Sequence, residues 1–236
     1  LYVTWAVCES VAMIGDVRGL IELSNSVNSG TSYIGTTVLL DNDIDFSADQ
    51  SGEFKPIGVD FYVRFQGAFD GQGHTISNFR LNTSDEVAGL FKYTNGTGFR
   101  NAVMDASCSV VCTHSVATEP VYVGSVVGYV YAMSSESVVD GLVNMASVAF
   151  TGNTLGADTS VASIGGVVGY AHPNGNSLQI KNCMNFGAVE NSGTCNLSGL
   201  GGILGSYLTP NFEAPGFCFI NNCANHGKVV YSGYTE

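Results

Sequence analysis

Charged residues are scarce in this chain of 236 residues, and positively charged ones are the scarcest. Charged side chains make up 12% of the sequence, with 8 Lys and Arg against 20 Asp and Glu, which gives a net charge of −12. A surface of this sign repels a phosphate backbone, because binding to that backbone depends on cationic side chains. The composition therefore predicts no nucleic-acid partner.

Long apolar runs are also absent. The longest weakly polar stretch, 121–133, is much shorter than the roughly 20 apolar residues that a membrane-spanning helix needs, so we expect no membrane insertion. The numbering starts at Leu1 and not at a methionine, which indicates a processed chain whose signal peptide has been removed. We therefore expect a secreted, extracellular protein located at the cell surface.

Motifs of common enzymes are missing as well. None of the four histidines is followed by glutamate, as a His-Glu-x-x-His metallopeptidase requires, and serine-nucleophile and phosphate-loop motifs are absent. No Cys-x-x-Cys pair or histidine cluster indicates zinc. The sequence thus predicts no enzyme activity, no cofactor and no metal site.

Glycine is abundant, with 30 residues, and much of it belongs to an internal repeat. Each copy has a glycine-rich apolar segment followed by a second segment that carries asparagine, and the equivalent residues Asn144, Asn185 and Asn225 are 41 and 40 residues apart. A period of this size is typical of repeat architectures. The copies are 124–129 with 139–148, 165–170 with 180–189, and 201–205 with 220–229.

The repeated segments are short, rich in valine and isoleucine, and roughly alternating, which favours strands. One copy cannot bury its own apolar face, whereas stacked copies share a continuous core. The sequence therefore predicts an all-β parallel β-helix (β-solenoid) of four to five coils. Residues 16–236 would form one domain, with a capping helix at 16–30 that Asp16 begins and Gly30 ends. Residues 1–15 would form a separate apolar strand, available for contact with another subunit.

Stacked coils would bring equivalent asparagines and cysteines of the repeat next to one another. Asn182 with Asn222, and Asn185 with Asn225, occupy equivalent positions, so we expect their side chains to form stacked ladders. The cysteines, seven in all, include candidates for disulfide bonds. Equivalent positions allow either a bond or a row of buried thiols for Cys183 with Cys223, while Cys108 with Cys112, and Cys218 with Cys223, are local alternatives.

Three glycosylation sequons lie in predicted loops, and they favour an extracellular glycoprotein. Their asparagines are Asn82, Asn95 and Asn196.

The order of motifs resembles that of GLUG-motif proteins. An Asp-Ile-Asp strand at 43–45 precedes a Pro-Ile-Gly turn at 56–58 and a Phe-Asp-Gly-x-Gly-His-Thr-Ile hairpin at 69–76, and Gly-Gly-x-x-Gly-Tyr repeats follow. The resemblance covers about 16–230. It implies a parallel β-helix of the kind found in adhesin-like surface proteins, and as a non-catalytic region in some immunoglobulin-cleaving metallopeptidases.

This sequence departs from the family pattern in the middle of the chain. Residues 108–121 form an irregular insertion, and Ser125 replaces the second glycine of its repeat. The family has no agreed catalytic residues to carry over, so the resemblance implies architecture and surface location alone.

The leading hypothesis is a non-catalytic structural glycoprotein that assembles head-to-tail into a surface fibre. An exposed strand at one end of a β-helix would pair with a strand at the opposite end of the next copy. The residues predicted to make this contact are Leu1, Tyr2, Val3, Trp5 and Val7 at the start of the chain and Val229, Val230 and Tyr231 near its end.

Two alternatives belong to other classes of protein. A monomeric adhesin module would bind glycans or host surface proteins through exposed aromatic side chains, for which Tyr62, Tyr122, Tyr207 and Phe212 are candidates.

A polysaccharide lyase or hydrolase would use carboxylates that alternation places on one strand face. The carboxylates on that face are Asp41, Asp43 and Asp45, and Asp70 and His74 follow in the hairpin. We expect these side chains to face solvent or to stabilise turns instead.

Overall fold

The computed structural model describes residues 10–49, 52–95, 98–117, 119–132, 137–155, 161–207 and 216–233. The described residues form one α-helix, one short 3-10 helix at Phe46–Ala48, and many short strands. The first elements along the chain are β1 (Ser10–Ile14), α1 (Val17–Asn28), β2 (Thr36–Leu40) and β3 (Ile44–Asp45).

The following strands repeat in groups of five. The first two groups are β4 (Ala68–Asp70), β5 (Thr75–Ser77), β6 (Arg80–Thr83), β7 (Val87–Ala88), β8 (Phe91–Thr94), then β9 (Gly98–Arg100), β10 (Val103–Met104), β11 (Ser109–Cys112), β12 (Val121–Gly124) and β13 (Val127–Tyr131). The next two are β14 (Ser137–Asp140), β15 (Val143–Asn144), β16 (Ser147–Phe150), β17 (Val161–Gly165), β18 (Val168–His172), then β19 (Ser177–Lys181), β20 (Met184–Asn185), β21 (Val189–Asn191), β22 (Leu197–Gly201) and β23 (Leu204–Tyr207). A last, partial group contains β24 (Phe217–Asn221), β25 (Ala224–Asn225) and β26 (Val229–Tyr231).

Equivalent strands stack into five parallel sheets. The largest, called the long sheet below, has seven strands in the order β1-β2-β4-β9-β14-β19-β24. The other four sheets have six, five, four and four strands. The predicted all-β parallel β-helix is therefore confirmed.

The predicted number of coils, four to five, is slightly too high. In each four-stranded sheet, three full turns of the chain separate the first of the four stacked strands from the last. The difference arises because the coils at both ends are incomplete in the described part of the chain.

Alternation in the strands determines which side chains enter the core. In β19, Leu178 and Ile180 are fully buried, whereas the intervening Gln179 and the following Lys181 are only partly buried. Register carries this pattern from coil to coil, because Ile180 pairs with Val139 on one side and with a residue of β24 on the other. The result is one continuous apolar core along the axis.

One corner of the coil explains why asparagine and glycine recur at fixed spacing. The residue after the long-sheet strand has a positive φ in four successive coils, at Asn101 (52°), Gly141 (66°), Asn182 (54°) and Asn222 (50°). This left-handed conformation is strained for most L-residues but accessible to glycine and asparagine. The corner thus accounts for the glycine or asparagine that recurs at this position of the repeat.

The helix α1 covers the N-terminal end of the core, as expected for the cap. The Asp16 side chain accepts a hydrogen bond from the Gly19 backbone N–H at 2.9 Å, and Gly30 follows the helix with a φ of 105°. The buried face includes Leu20, Leu23 and Val27, which join the same core as the coils. The helix thus covers the core of the first described coils.

The part of the N-terminal strand that the structure describes belongs to the β-helix. Strand β1 pairs in parallel with β2 along its whole length, from Ser10 with Thr36 to Ile14 with Leu40. It is the first strand of the long sheet. Residues 10–14 are therefore part of the β-helix and not of a separate strand that ends at residue 15. Residues 1–9 lie outside the described residues.

The departure at Ser125 is accommodated within the stack. Its side chain is fully buried, and its hydroxyl donates to the Gly166 carbonyl of the next coil at 2.6 Å. A serine therefore replaces the repeat glycine by forming a hydrogen bond between coils.

No helix in the described residues is both long and apolar enough to cross a bilayer.

Candidate functional site

The C-terminal coil exposes side chains that face inward. Ile220 occupies the position of Ile180 in the preceding coil, but Ile220 is 51% exposed and Ile180 is fully buried. The same contrast separates Val229, which is 39% exposed, from the buried Val189, and Tyr231 is exposed too. No described strand stacks on the outer side of this coil, so part of the core lies open.

Two outward-facing rings enlarge the apolar surface of this coil. Phe217 and Phe219 are 57% and 48% exposed, and their rings stack at 6.0 Å between centroids. Sequence reasoning named Val229, Val230 and Tyr231 for this end but missed the two rings and Ile220. The equivalence of Ile220 to Ile180 within the repeat was the signal that could have found the latter.

The opposite edge of the long sheet is also open in the described chain. Strand β1 pairs with β2 alone, and its outward residues Val11 and Met13 are 58% and 55% exposed. All pairings in the long sheet are parallel, so β1 and β24 run in the same direction at its two edges. A second copy displaced along the axis would therefore present β1 in the correct direction for pairing with β24. The predicted contact residues of 1–7 lie outside the described residues.

The outer asparagine ladder lies at the left-handed corner. Asn222 donates its side-chain N–H to the Asn182 side-chain oxygen at 2.7 Å, and Asn182 donates in turn to Asp140 at 2.7 Å. These contacts join three successive coils on an exposed corner.

The inner ladder is buried for most of its length. Asn144 donates to Asn185, and Asn185 donates to Asn225, each at 2.7 Å. Each amide also donates to a backbone carbonyl of its own coil, which for Asn185 is Gly187 at 2.9 Å. Asn144 and Asn185 are fully buried, whereas Asn225 in the last coil is exposed, so the ladder ends with amide groups that a further coil could use.

The six cysteines in the described residues are free thiols. The sequence allowed either a disulfide bond or stacked thiols for Cys183 and Cys223, and in the structure both residues are thiols. The Cys183 backbone N–H donates a hydrogen bond to the Cys223 sulfur at 3.4 Å. Cys108 and Cys112 are likewise free thiols. Each buried sulfur donates a hydrogen bond to a carbonyl of the preceding coil at 3.3 Å. Burial raises the pKa of the Cys183 thiol to about 12.

The three sequon asparagines differ in their accessibility. Asn82 is exposed, and it lies in strand β6 and not in the expected loop. Asn95 is half-buried and donates its side-chain N–H to Gln66 at 3.1 Å, while Asn196 is half-buried at the bend before β22. Asn82 is therefore the best placed of the three for a glycan.

The aspartates of the hairpin region are engaged in turns. Asp43 accepts from the Thr75 backbone N–H at 2.8 Å and lies 3.2 Å from His74 Nδ1; these hydrogen bonds lower the pKa of Asp43. Asp45 accepts from Asn78 and from a backbone N–H, which lowers its pKa as well. Asp70 accepts from the backbone of the following turn. These carboxylates therefore stabilise corners of the first coils.

The predicted aromatic candidates do not form one exposed platform. Tyr62 is 85% and Tyr207 is 53% exposed. Tyr122 is instead half-buried, stacked on Tyr170 at 4.4 Å within a column of tyrosines along the side of the β-helix. Phe212 lies outside the described residues.

These coils define the chain as a parallel β-helix protein, in which a helix packs on the first described coils and the last described coil exposes inward side chains. Among solved structures, it is similar to a protein of Bacteroides ovatus provisionally named an immunoglobulin A1 protease. The TM-score is 0.56 at 18% identity, and the match covers 90% of this chain and 67% of that chain. A likeness at this identity shows the fold alone. No protein-family model and no curated protein matches the chain.

Proposed function

We propose that the chain is a non-catalytic structural subunit of an extracellular surface fibre, whose copies join head-to-tail through the two ends of the β-helix. The observation that carries the proposal is the exposure of inward side chains in the last coil, above all Ile220 at 51%. Apolar surface of this kind gains free energy when another coil covers it.

The long sheet supplies a geometry for the contact. Its free edges, β24 at one end and β1 at the other, run in the same direction, so pairing between copies would extend the parallel sheet. The contact uses a different surface on each partner, so it does not close on itself and produces a filament.

The extracellular assignment depends on sequence features. The GLUG-like motif order is that of surface proteins, and Asn82 offers an exposed sequon. The non-catalytic assignment is supported by the aspartates, since Asp43 and Asp45 are held in hydrogen bonds at corners. The provisional protease name of the structural neighbour does not change this proposal, because none of the four histidines of this chain is followed by glutamate.

The test compares two lysine substitutions by mass photometry over a dilution series. Ile220→Lys places a charge on the open core, whereas Gln179→Lys adds the same charge on the outward face one coil earlier. We expect the wild type and Gln179→Lys to form oligomers and Ile220→Lys to remain monomeric.

Equal assembly of all three proteins would contradict the proposal. Monomers at every concentration for all three would also contradict it. That second result would favour the adhesin module, for which a glycan array with Tyr62→Ala as control is the next measurement.

A further inference from the structure

Three potential metal ligands converge where the irregular insertion meets the preceding coil. Glu86 lies just before β7, while His114 and Glu119 lie between β11 and β12. A ring nitrogen of His114 and one carboxylate oxygen of each glutamate lie within 4.8 Å of one another. Glu86 belongs to one coil and the other two residues to the next, so an ion at this point would join successive coils.

The histidine is oriented as a ligand. His114 is 4% exposed, and its Nδ1 lies 2.8 Å from the Ser84 carbonyl oxygen. A carbonyl can only accept a hydrogen bond, so Nδ1 carries the proton and, in the neutral ring, Nε2 presents a lone pair. Metal-bound histidines are commonly held in this way by a backbone carbonyl. The His114 carbonyl also accepts from the Asn153 backbone N–H at 3.1 Å, which fixes this residue against the next coil.

The lone pair of His114 is directed at a carboxylate and has no hydrogen-bond partner among the described residues. Nε2 is buried and makes no hydrogen bond of acceptable geometry, although the Glu119 Oε2 atom lies 3.2 Å away. Two electron-rich atoms at this separation repel each other unless a proton or a cation lies between them. Tetrahedral coordination with bonds of about 2.0–2.2 Å would place ligand atoms roughly 3.3–3.6 Å apart, close to the observed separation.

Glu86 completes the set and is itself held in place. Its Oε1 accepts from the Tyr93 hydroxyl at 2.9 Å, and its backbone carbonyl accepts from the Tyr122 N–H at 2.8 Å. The other carboxylate oxygen of Glu86, Oε2, takes no part in the contact with Tyr93 and can serve as a ligand.

We propose that Glu86, His114 and Glu119 form a binding site for a divalent transition-metal ion such as zinc. One imidazole and two carboxylates suit zinc and its neighbours in the first transition row, whereas calcium prefers oxygen ligands alone. Three protein ligands leave one position for water, and Glu119, whose side chain is 51% exposed, opens the site to solvent. The expectation of no metal site came from the absence of local motifs, because these ligands meet only through the stacking of coils.

The test uses the full chain after treatment with EDTA, titrated with ZnCl₂ by isothermal calorimetry and with CoCl₂ by visible absorption. The test variant Glu119→Gln replaces a partly exposed carboxylate, so it leaves the buried contacts in place. A matched control, Glu190→Gln, removes a carboxylate at an exposed position of β21. A second control, His74→Ala, removes another histidine that lies against a carboxylate, in this case that of Asp43.

We expect one zinc ion per chain and a cobalt spectrum of four- or five-coordinate type. The zinc affinity should fall by at least about tenfold in Glu119→Gln and stay unchanged in both controls. Absence of zinc and cobalt binding by the wild type would overturn the proposal and leave a His114–Glu119 ion pair in its place. Binding that is unaffected by Glu119→Gln would overturn it equally.

Discussion

The last two described coils of the β-helix share a repeated stretch of sequence, at 180–189 and 220–229, but differ in environment. Ile180-Lys181-Asn182-Cys183 recurs as Ile220-Asn221-Asn222-Cys223, and Ile180 pairs with Ile220, yet Ile180 is fully buried and Ile220 is half exposed. Burial in a repeat protein is therefore supplied by the neighbouring coil and not by the residue itself. The same side chain acts as core within the stack and as a possible contact surface at its end.

The two ends of the described chain also differ in how far the core is covered. At the N-terminal end, α1 places Leu20, Leu23 and Val27 over the first coils. At the C-terminal end, no described element covers Ile220 or Val229. One end thus offers only the edge of the long sheet, while the other offers an edge and open core.

Alanine substitution of the two isoleucines should give the largest difference. Ile180→Ala removes fully buried methyl groups and should lower the free energy of unfolding by about 2–5 kcal/mol, because a cavity remains. Ile220→Ala should cost about 1 kcal/mol or less in the dilute monomer, since half of that side chain already contacts water. Urea denaturation at low protein concentration measures both values. Equal costs would mean that the last coil is covered in solution.

The inner asparagine ladder should show a smaller contrast of the same kind. Asn185→Ala removes a buried amide, so the Asn144 side-chain N–H loses its acceptor in the next coil and the Gly187 carbonyl loses its donor, which should cost about 1–3 kcal/mol. Asn225→Ala acts on an exposed amide that water can replace, and should cost about 1 kcal/mol or less. Thermal unfolding followed by circular dichroism ranks the two. A larger cost for Asn225→Ala would contradict an open final coil.

The smallest expected effect is a loss of stability at alkaline pH that the buried thiol of Cys183 causes. Burial raises the pKa of Cys183 to about 12, so the thiol stays protonated in the folded chain while it ionises in the unfolded chain at lower pH. The unfolded state then binds fewer protons, and the free energy of unfolding falls as the pH rises from about 9 towards 12. Cys183→Ala should lose less stability than the wild type between about pH 8 and pH 10, as measured by urea midpoints.

The control for this experiment is Val189→Ala, which removes buried volume from the same coil without changing an ionisable group. It should keep the pH dependence of the wild type. An identical pH dependence in Cys183→Ala would show that the thiol is not buried as described.

The sequence was sufficient to predict the fold because its signals are local and repeated. The corner with a positive φ carries asparagine or glycine in four successive coils, as at Asn182 and Asn222, and the glycine-rich segments recur with the same period. Asp16 and Gly30 marked the ends of the helix in the same local way. The sequon at Asn82 was placed wrongly in a loop, because β6 is a short strand of polar composition.

Features that depend on stacking were not predictable. Neither the exposure of Ile220 nor the position of β1 as a sheet edge follows from composition, since both depend on which coil lies next to them. The convergence of Glu86, His114 and Glu119 is a further case, because residues of two coils meet only after the register is set. Local patterns predict the coil, whereas contacts between coils and at the ends require the structure.

Negative-stain electron microscopy of the purified wild-type chain, compared with Ile220→Lys, tests the central claim most directly. The account predicts uniform filaments for the wild type, one β-helix wide, and their loss in Ile220→Lys without loss of β-sheet content. Dispersed particles of the single 24.7 kDa chain for the wild type, at concentrations where it is fully folded, would contradict head-to-tail assembly.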